Sequence, residues 1–272
     1  MPSAAERFLL DFHARHPGAT SVALGGVPVT CAGRPFASSY AVLAAHVPAD
    51  ASRILDVACG DGHLLALLAG THPHAALAGV DMSAAELAAA AHRLGPRATL
   101  HRARAQALPL PDGAFDAVTC HMALMLMDDS PRVLAELRRV LRPGGTLAAV
   151  VGAGFPPSPA SDFYVALIRP QLASAPGFVP LGDRRWRSPE DIGAMLAQAG
   201  FEQVGHAPID GETRRTPAAQ WDYFTLMYDT HFLQADAVAQ LRQAFLAQAA
   251  AHVEQDGHLR VPARWRLVTA RR

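Results

Sequence analysis

The stretch that decides the fold reads Ile54-Leu55-Asp56-Val57-Ala58-Cys59-Gly60-Asp61-Gly62-His63-Leu64. It begins as a short apolar run, breaks at two glycines and continues as an Ala/Leu-rich helical pattern, which predicts a buried strand, a tight turn and a helix start. Gly60 and Gly62 lack a Cβ, so the turn can adopt unusual backbone angles and a ligand can approach the main chain closely. The following helix offers free N–H groups and the positive end of its dipole, which predicts a site for a carboxylate or another polar group.

A glycine turn after a strand also suggests dinucleotide binding, but that interpretation requires the pattern G-x-G-x-x-G. Leu65 stands at the third glycine position, so the pyrophosphate-binding pattern is incomplete. Asp56 lies at the end of the strand, just before the turn. Its carboxylate can organise the N–H groups of the loop and accept from an ammonium group, which makes Asp56 the more informative residue.

Three stretches resemble motifs of the class I S-adenosylmethionine (SAM)-dependent methyltransferases, which have a Rossmann-like fold. LDVACGDG at residues 55–62 is similar to the first motif of that family, although Ala58 stands where the family most often has glycine. LPLPDGAFDAV at residues 108–118 resembles the ubiquinone/menaquinone-biosynthesis (type 11) group, and LRPGG at residues 141–145 is one of the more specific family marks. The resemblance covers roughly residues 53–152 and continues more faintly to residue 206.

The resemblance implies an α/β fold with a doubly wound seven-stranded sheet, an antiparallel last strand and helical lid insertions. It implies SAM as the cofactor and S-adenosyl-L-homocysteine as the product. On this interpretation residues 1–50 form an N-terminal helical cap segment and residues 51–272 form the methyltransferase domain. Lid insertions are expected at about residues 153–187 and 210–256, where the family pattern is interrupted.

The second predicted strand, residues 76–80, ends in Asp81, about 20 positions after the glycine turn. A carboxylate at this place can accept both ribose hydroxyls of an adenosine ligand. The spacing serves NAD and SAM equally, so it indicates a nucleoside without identifying which one. Met82 follows and is expected either to pack on the adenine face or to belong to the core. Ser83 and Glu86 form the pattern of a capping box for the next helix.

The sequence after the third predicted strand departs from the family pattern. In the resembling family this place usually carries an aspartate that accepts from the adenine amino group, whereas this chain has Arg104. Arginine has no acceptor atom. Adenine must therefore be bound by backbone groups near Ala105 or by Gln106.

The N-terminal segment is predicted to contain two helices. An amphipathic helix is expected over residues 4–15, a loop that can include a short hairpin over residues 20–34, and a second helix over residues 35–47. Helices before the first strand often cover the SAM pocket in the resembling family. Arg34 and Tyr40 are therefore candidates for binding the cofactor carboxylate, and core packing is the alternative for Tyr40.

The end of the fourth predicted strand carries His121, beside the first strand at the switch point of a doubly wound sheet. His121 is a candidate for contacting the methionine half of the cofactor through its carbonyl, for acting as a base through its ring, or for a structural role. Asp229 and His231 are the other candidate bases. A neutral nitrogen acceptor needs no base, whereas a hydroxyl acceptor usually does.

The two expected insertions are rich in aromatic side chains. Such residues at helical spacing usually belong to a core, but their concentration here also suggests an apolar pocket for a flat or greasy substrate. The candidate substrate-binding residues are Tyr164, Trp186, Trp221, Phe224 and Tyr228. Two helices are predicted in the second insertion, one from Pro217 and one from Asp236 to about Val253.

Composition restricts the partners. The 24 basic residues, all arginine, balance 24 acidic residues, which argues against electrostatic binding of nucleic acid. No apolar run is long enough for a membrane helix, the N-terminus lacks a signal-peptide pattern, and three cysteines suggest neither a disulfide framework nor a metal site. We expect a cytoplasmic protein, a monomer or homodimer, whose partner is a small-molecule substrate.

The sequence therefore predicts a SAM-dependent methyltransferase that methylates an O or N atom of a small, aromatic or heterocyclic metabolite in specialised biosynthesis. The absence of an Asn-Pro-Pro-Tyr run, which is common in methyltransferases that act on amino groups of nucleic acids and proteins, also favours a small acceptor. An NAD(P)-dependent oxidoreductase is the first alternative, disfavoured by Leu65 and by LRPGG. A non-catalytic SAM-binding protein is the second.

Overall fold

The computed structural model describes residues 2–272, which form a mixed sheet with helices around it. The strands are β1 (Val29–Cys31), β2 (Arg34–Phe36), β3 (Arg53–Val57), β4 (Ala76–Asp81), β5 (Ala98–Arg102), β6 (Phe115–His121), β7 (Leu141–Gly152), β8 (Glu202–Arg215) and β9 (Leu259–Arg271). Their order in the sheet is β2-β1-β8-β9-β7-β6-β3-β4-β5.

Ten α-helices connect or flank these strands in the described part of the chain. They are α1 (Ala4–Arg15), α2 (Ala19–Leu24), α3 (Ser39–Ala44), α4 (His63–Thr71), α5 (Ala84–Leu94), α6 (Ser130–Val140), α7 (Pro159–Ser174), α8 (Pro189–Gln198), α9 (Pro217–Thr225) and α10 (Ala235–Ala249). No helix within residues 2–272 combines the length and the hydropathy that crossing a membrane requires.

The centre of the sheet is parallel and doubly wound, as predicted. β3 pairs in parallel with β4 on one side and with β6 on the other, and β7 continues the parallel part next to β6. β9 runs antiparallel to β7. The strand that follows β3 in the chain, β4, lies on one side of it, and β6 lies on the other. The carboxyl ends of β3, β4 and β6 therefore meet at the switch point, where ligands bind in such sheets.

The sheet has nine strands rather than the expected seven, because β1 and β2 form a hairpin that extends the sheet beyond β8. Val29 pairs with Phe36 and Cys31 with Arg34. Ala32 and Gly33 between them have φ angles of 48° and 74°, the left-handed values of a two-residue hairpin turn. Alanine is not typical of left-handed turn positions, so the sequence predicts only a loop over residues 20–34 that can include a short hairpin.

The expected helix over residues 35–47 was wrong at its N-terminal end. Pro35 belongs to β2, and the helix begins at Ser39, after Ser38 caps it by accepting the Ala41 N–H at 3.3 Å. Proline has no N–H to donate, which suits a short strand at the sheet edge as well as the first turn of a helix. The predicted helix α1 and the two helices α9 and α10 are present.

The chain divides into two compact units. Unit 1 contains the chain up to Ala153 together with Leu181–Ile209 and Trp265–Arg272. Unit 2 contains Gly154–Pro180 and Asp210–Arg264. Unit 1 holds the parallel strands, and its core includes Leu55 of β3 and Leu137 of α6.

Unit 2 has its own apolar core, formed by α7, α9, α10 and the start of β9. Its fully or almost fully buried aromatic members are Tyr164, Trp221, Phe224 and Phe245. Ring contacts connect them, because Phe245 lies 5.7 Å from both Trp221 and Phe224 between ring centroids. Unit 2 is therefore held together largely by aromatic packing.

Gly79 in β4 gives a direct test of the packing behind the glycine turn. A Cβ at this position would lie 2.8 Å from Cys59 Sγ and 2.8 Å from Leu65 Cδ1, so both side chains would have to move. We expect Gly79→Ala to lower the free energy of unfolding by about 1–3 kcal/mol, the usual cost of overpacking. Urea denaturation of the purified chain measures this difference.

Gly70, exposed in α4, is the matched control because a Cβ there meets nothing within 4 Å. We expect Gly70→Ala to raise stability by roughly 0.5–1 kcal/mol, since alanine loses less backbone entropy than glycine in a helix. Equal effects of the two substitutions would contradict the packing of β4 against the turn.

Candidate functional site

The turn between β3 and α4 has the unusual backbone that its glycines predict. Gly60 and Gly62 have φ angles of 52° and 76°, and Ala58 also adopts a left-handed φ of 56°. Left-handed backbone costs an L-residue roughly 1–2 kcal/mol, so Ala58 carries strain that the usual glycine would avoid. The turn is maintained against this strain by its contacts with neighbouring elements.

Gly62 positions the start of α4 against α5. A Cβ at Gly62 would lie 2.8 Å from Leu94 Cδ1 and 3.1 Å from Ala90 Cβ. Glycine is therefore required for packing as well as for its φ angle. The first N–H groups of α4 lie at the carboxyl end of β3, as the sequence predicts.

Asp56 is a nearly isolated buried carboxyl group. It is only 2% exposed, and its Oδ1 accepts the hydroxyl of Thr119, on the neighbouring strand β6, at 2.8 Å. Burial raises the pKa of Asp56 to about 7, the Thr119 hydrogen bond opposes this shift, and Asp81 adds to it. A cationic group placed beside Asp56 would favour the charged carboxylate, so this position suits an ammonium ligand.

Asp81 ties the glycine turn to the next helix. Its Oδ2 accepts the Gly60 N–H at 3.0 Å, and its Oδ1 accepts the Ser83 N–H at 2.8 Å. Burial raises the pKa of Asp81, and the two N–H groups oppose that rise. Each carboxylate oxygen has a second lone pair, so Asp81 can hold the turn and still accept from a pair of hydroxyls.

The expected capping box at the start of α5 is present only in part. Ser83 Oγ accepts the Glu86 N–H at 3.4 Å, as a cap should. The Glu86 carboxylate does not return to Ser83 but accepts the Gly18 N–H at 3.0 Å and lies 2.7 Å from His13 Nδ1. Glu86 therefore fastens the N-terminal helices to the element that follows Asp81.

His121 and Tyr40 form a stacked pair. Their ring centroids are 3.5 Å apart at an interplanar angle of 18°, and the His63 ring lies 4.6 Å from Tyr40. Ser39 Oγ lies 2.9 Å from His121 Nε2. Thr119 pairs with Asp56 two residues before His121, so the stack lies at the carboxyl end of β6 near the Asp56 carboxylate.

The environment of this pair determines its protonation. Burial, with a smaller contribution from His63, lowers the pKa of His121 to about 3, so its ring is neutral at physiological pH. Burial, and then Asp61 and Asp56, raise the pKa of Tyr40. Within residues 2–272 His121 Nδ1 has no hydrogen-bond partner. A histidine with so low a pKa is a weak general base, so the geometry favours a positioning role for the stack.

Arg34 is not brought to this cluster. It lies on the edge strand β2, with five strands between β2 and β3 in the sheet order. Its side chain is exposed and its guanidinium carbon lies 5.5 Å from the Phe36 ring centroid. The hairpin that the sequence left open therefore separates Arg34 from Asp56 and Asp81.

A cavity of about 250 Å³ lies beside the end of β4, within unit 1. We call it the α1 cavity; its lining residues are Pro2, Glu6, Leu10, Met82, Arg102, Ala103 and Arg104. Met82 is thus placed at a cavity next to Asp81. Ala105 and Gln106 are buried beyond the lining, and Gln106 Nε2 donates to Asp128 O at 2.8 Å and to Glu6 Oε1 at 3.3 Å.

Glu6 is a residue of this region that the sequence analysis missed. It is 4% exposed, and its Oε1 accepts from Arg104 Nη2 at 2.6 Å and from Arg104 Nε at 2.9 Å. The only sequence signal was its place three residues after the cap Ser3, with which it forms a capping box. A cap predicts a helix start and says nothing of a partner 98 residues away.

In unit 2 the structure brings three of the candidate aromatic residues together. Tyr164 stacks on Phe224 at 4.2 Å between ring centroids, and Trp221 lies 6.3 Å from Tyr164. Trp186 instead belongs to the core of unit 1, where its indole N–H donates to Ser130 Oγ at 3.1 Å. Tyr228 directly precedes the 3₁₀ turn Asp229–Phe232, also in unit 2.

Three side chains of unit 2 have buried polar atoms without a hydrogen-bond partner among the described residues: Tyr164, Arg215 at its Nη1, and Gln220. The Tyr164 hydroxyl and both amide atoms of Gln220 have no hydrogen-bond partner anywhere in the described chain. Gln220 is fully buried and stands one helical turn before Phe224 on α9, so both face the same side of the helix. Leaving such groups unpaired costs about 1–3 kcal/mol each, so their retention indicates a polar partner.

The remaining candidate bases lie in the same unit. Burial raises the pKa of Asp229, and burial followed by the Asp229 charge raises the pKa of Tyr164. His231 Nε2 lies 2.8 Å from the carbonyl oxygen of Thr225. Its Nε2 therefore donates as N–H. Asp229 is the candidate base whose charge acts on the Tyr164 hydroxyl.

Comparison with known proteins gives three kinds of similarity. A family described as a methyltransferase domain matches residues 55–149. A demethylmenaquinone methyltransferase of Thermus thermophilus is 37% identical over 55% of this chain and 74% of its own length. The O-methyltransferase cnsE of Penicillium expansum is 32% identical over 58% of this chain and 54% of its own length.

A solved structure, that of the cyclase SpnF, covers 100% of this chain and 97% of that chain with a TM-score of 0.57 and 20% identity. At that identity the likeness shows the fold alone. A protein named a cyclase shares this fold, so the fold by itself does not identify the reaction.

The raised pKa of Asp56 predicts a pH-dependent stability. A carboxyl whose pKa rises from 3.8 in the unfolded chain to about 7 in the folded protein stabilises the fold while it is protonated. This contribution is fully present below pH 3.8 and is lost as the pH rises through about 7. Asparagine has no charge to bury and keeps an acceptor for Thr119. We expect Asp56→Asn to stabilise the ligand-free protein by on the order of 1–4 kcal/mol more at pH 8 than at pH 5.

Urea denaturation at pH 5, 6, 7 and 8 measures this difference. Asp116→Asn is the control, because Asp116 has a pKa lowered by its hydrogen bonds with Arg142 and Ser52 against the effect of desolvation. Its removal should therefore cost the same stability throughout this pH range. An Asp56→Asn effect that does not change with pH would contradict the environment described for Asp56.

The strain at Ala58 predicts a second stability change. We expect Ala58→Gly to raise the free energy of unfolding by about 1 kcal/mol, because glycine adopts the left-handed φ of 56° without a steric penalty. Thermal unfolding followed by circular dichroism measures the change. A destabilised Ala58→Gly protein would mean that the alanine methyl group contributes more by packing than the backbone costs.

Proposed function

Because the chain belongs to the class I SAM-dependent methyltransferases, in the group of the ubiquinone/menaquinone-biosynthesis enzymes, we propose that it methylates an oxygen or nitrogen atom of a small aromatic or heterocyclic metabolite. The observation that carries the proposal is that unit 1 and unit 2 each contain polar side chains suited to a different ligand. The buried Asp56 and the half-buried Asp81 flank the glycine turn of unit 1, while unit 2 offers buried polar atoms among stacked aromatic rings.

We propose that unit 1 holds the cofactor. Asp56, buried with a single described donor, accepts from the ammonium group of the methionine half. Asp81 accepts from the ribose hydroxyls while it keeps Gly60 in place. Tyr40 and His121 form an apolar wall beside the turn and exclude water from it. When bound, SAM supplies a methyl group already activated by its sulfonium.

We propose that unit 2 holds the acceptor. The rings of Tyr164, Phe224 and Trp221 are buried in the core of unit 2, and half-buried side chains packed against them, among them Tyr223 and Met227, offer apolar surface. The unpartnered amide of Gln220 offers one donor and one acceptor to a polar edge of the substrate. A heterocycle or a substituted phenol has such an edge beside an aromatic face, and this complementarity supports an oxygen- or nitrogen-bearing acceptor.

We propose Asp229 as the base for a hydroxyl acceptor. The Asp229 carboxylate would take the proton of the acceptor hydroxyl, so that the oxygen becomes a stronger nucleophile for the methyl group that bound SAM would supply. Burial raises the pKa of Asp229, which makes it a better proton acceptor than an exposed aspartate. His121, with its pKa of about 3, is not assigned this role.

Methylation at a ring carbon is the second candidate, favoured by the similarity to a demethylmenaquinone methyltransferase. A hydroquinone also has an aromatic face and a hydroxyl edge, and a base beside the hydroxyl would increase the electron density of the ring. The two candidates differ in the atom that receives the methyl group, so product analysis separates them.

The test incubates the full chain with SAM carrying a deuterated methyl group and three acceptors: a substituted catechol, an aromatic amine and a 1,4-dihydroxynaphthalene without a ring methyl group. Mass spectrometry finds the product and carbon NMR locates the methyl group. We expect the label on oxygen or nitrogen of the first two compounds. Label on a ring carbon of the third alone would establish the second candidate, and transfer to none would overturn the proposed acceptor class.

Asp229→Asn tests the base. We expect kcat for the catechol to fall by about 100-fold or more, whereas transfer to the aromatic amine should change little, because a neutral amine attacks without prior deprotonation. Asp222→Asn, at an exposed position of α9 in the same unit, is the control and should leave both reactions unchanged. Equal losses for both acceptors would exclude proton removal by Asp229.

A further inference from the structure

The lining of the α1 cavity is partly apolar and partly charged, with one acidic residue, Glu6, and two arginines, Arg102 and Arg104. Leu10, Met82 and Ala103 supply apolar surface. Glu6 and Arg104 lie against one another and both line the cavity. Its volume of about 250 Å³ is close to the roughly 300 Å³ at which small-molecule sites begin. A cavity of this kind suits a flat apolar group with a polar edge.

Glu6 retains hydrogen-bonding capacity. Its Oε1 is surrounded by donors from Arg104 and Gln106, but its Oε2 accepts only the Ser3 N–H, at 3.0 Å, among the described residues. A carboxylate has about four acceptor positions on its two oxygens. One position on Oε2 is therefore available to a donor that enters the cavity.

Arg104 offers the opposite function. Its Nε and Nη2 are directed at Glu6, which leaves the N–H groups of Nη1 for another acceptor. Glu6 and Arg104 together thus supply an acceptor, Oε2, and donors, the Nη1 N–H groups, among the residues that line the cavity. The edge of adenine that carries the amino group presents a donor, N6–H, beside an acceptor, the ring nitrogen N1. The two patterns are complementary.

The position of the cavity relative to Asp81 is consistent with this match. Met82 lines the cavity and directly follows Asp81 in the chain. If Asp81 accepts from the ribose hydroxyls, as proposed above, the attached base lies toward Met82 and the end of β5. The inference below rests on that proposed function and deepens it.

We propose that Glu6 of the N-terminal helix accepts the adenine amino group of the cofactor and that Arg104 donates to the neighbouring ring nitrogen. The acceptor that the sequence lacks at position 104 is thus supplied from α1. The N-terminal helix becomes a part of the cofactor site that determines specificity, rather than a cover over it. Its attachment through Glu86 to Gly18 keeps Glu6 in register with the end of β4.

The test compares two probes by calorimetric titration: S-adenosylhomocysteine and its deaminated analogue S-inosylhomocysteine, in which a keto oxygen replaces the amino group and N1 carries a proton. We expect the wild-type chain to bind the adenosyl compound at least 100-fold more tightly, because the analogue places an oxygen against Glu6. Equal binding of the two probes by the unaltered protein would overturn the proposal without any variant.

Glu6→Gln then assigns the effect. The amide keeps the shape of the side chain and can donate to the keto oxygen, so we expect the preference to fall below about tenfold. The double substitution E6Q/R104D places an acceptor at the end of β5 and should restore the preference. Asp11→Asn, exposed on the same helix, should leave it unchanged. An unchanged preference in a folded Glu6→Gln protein would overturn the role of Glu6.

The same titrations distinguish a failure of the proposed Glu6 contact from a failure of the proposed cofactor site. Binding of S-adenosylhomocysteine that weakens in Asp81→Ala but shows no preference over the inosyl analogue would leave the cofactor site intact and reject Glu6 as the adenine acceptor. No binding of S-adenosylhomocysteine to the wild type would reject the cofactor site itself, and the inference with it.

Discussion

The pair of hydrogen bonds from Gly60 and Ser83 to the carboxylate of Asp81 is the contact on which the rest of unit 1 depends. One carboxylate fixes the turn that follows β3 and the start of the helix that follows β4. Ala58 is held in a left-handed conformation in that turn, which is possible only because neighbouring contacts determine the backbone there. Each oxygen keeps a second lone pair, so on the proposed function structural support and ligand binding share one side chain.

A second constraint comes from the N-terminal helices, which are attached through buried carboxylates. Glu86 accepts the Gly18 N–H, and Glu6 pairs with Arg104. A partly buried ion pair such as Glu6–Arg104 contributes little net stability, because desolvation offsets much of its attraction, but it fixes the relative position of the two elements. Such pairs act through geometry: the Glu6–Arg104 contact holds the Glu6 carboxylate of the N-terminal helix within hydrogen-bond distance of a residue that follows β5.

The parts that the sequence predicted are those set by local chemistry. Gly60, Gly62 and Asp81 stand at fixed distances from strand ends, and a period of buried residues locates β3 and β4. The β1–β2 hairpin was not fixed in advance, because its turn has alanine at a left-handed position. Glu6 and Gln220 escaped detection for a different reason: their roles depend on partners far along the chain, or on the lack of one, and neither is encoded in neighbouring residues.

The polar side chains that we propose for ligand binding have different surroundings in unit 1 and in unit 2. In unit 1 Asp81 lies beside two main-chain N–H groups and Asp56 beside the Thr119 hydroxyl, an arrangement that suits a charged and hydroxylated ligand. In unit 2 the amide of Gln220 and the hydroxyl of Tyr164 lie among aromatic rings with nothing to bond. A buried unpaired amide reduces the stability of the fold and is useful only when a ligand satisfies it. On the proposed function, the acceptor is recognised by the polar residues of α7 and α9 at positions that packing alone would have made apolar.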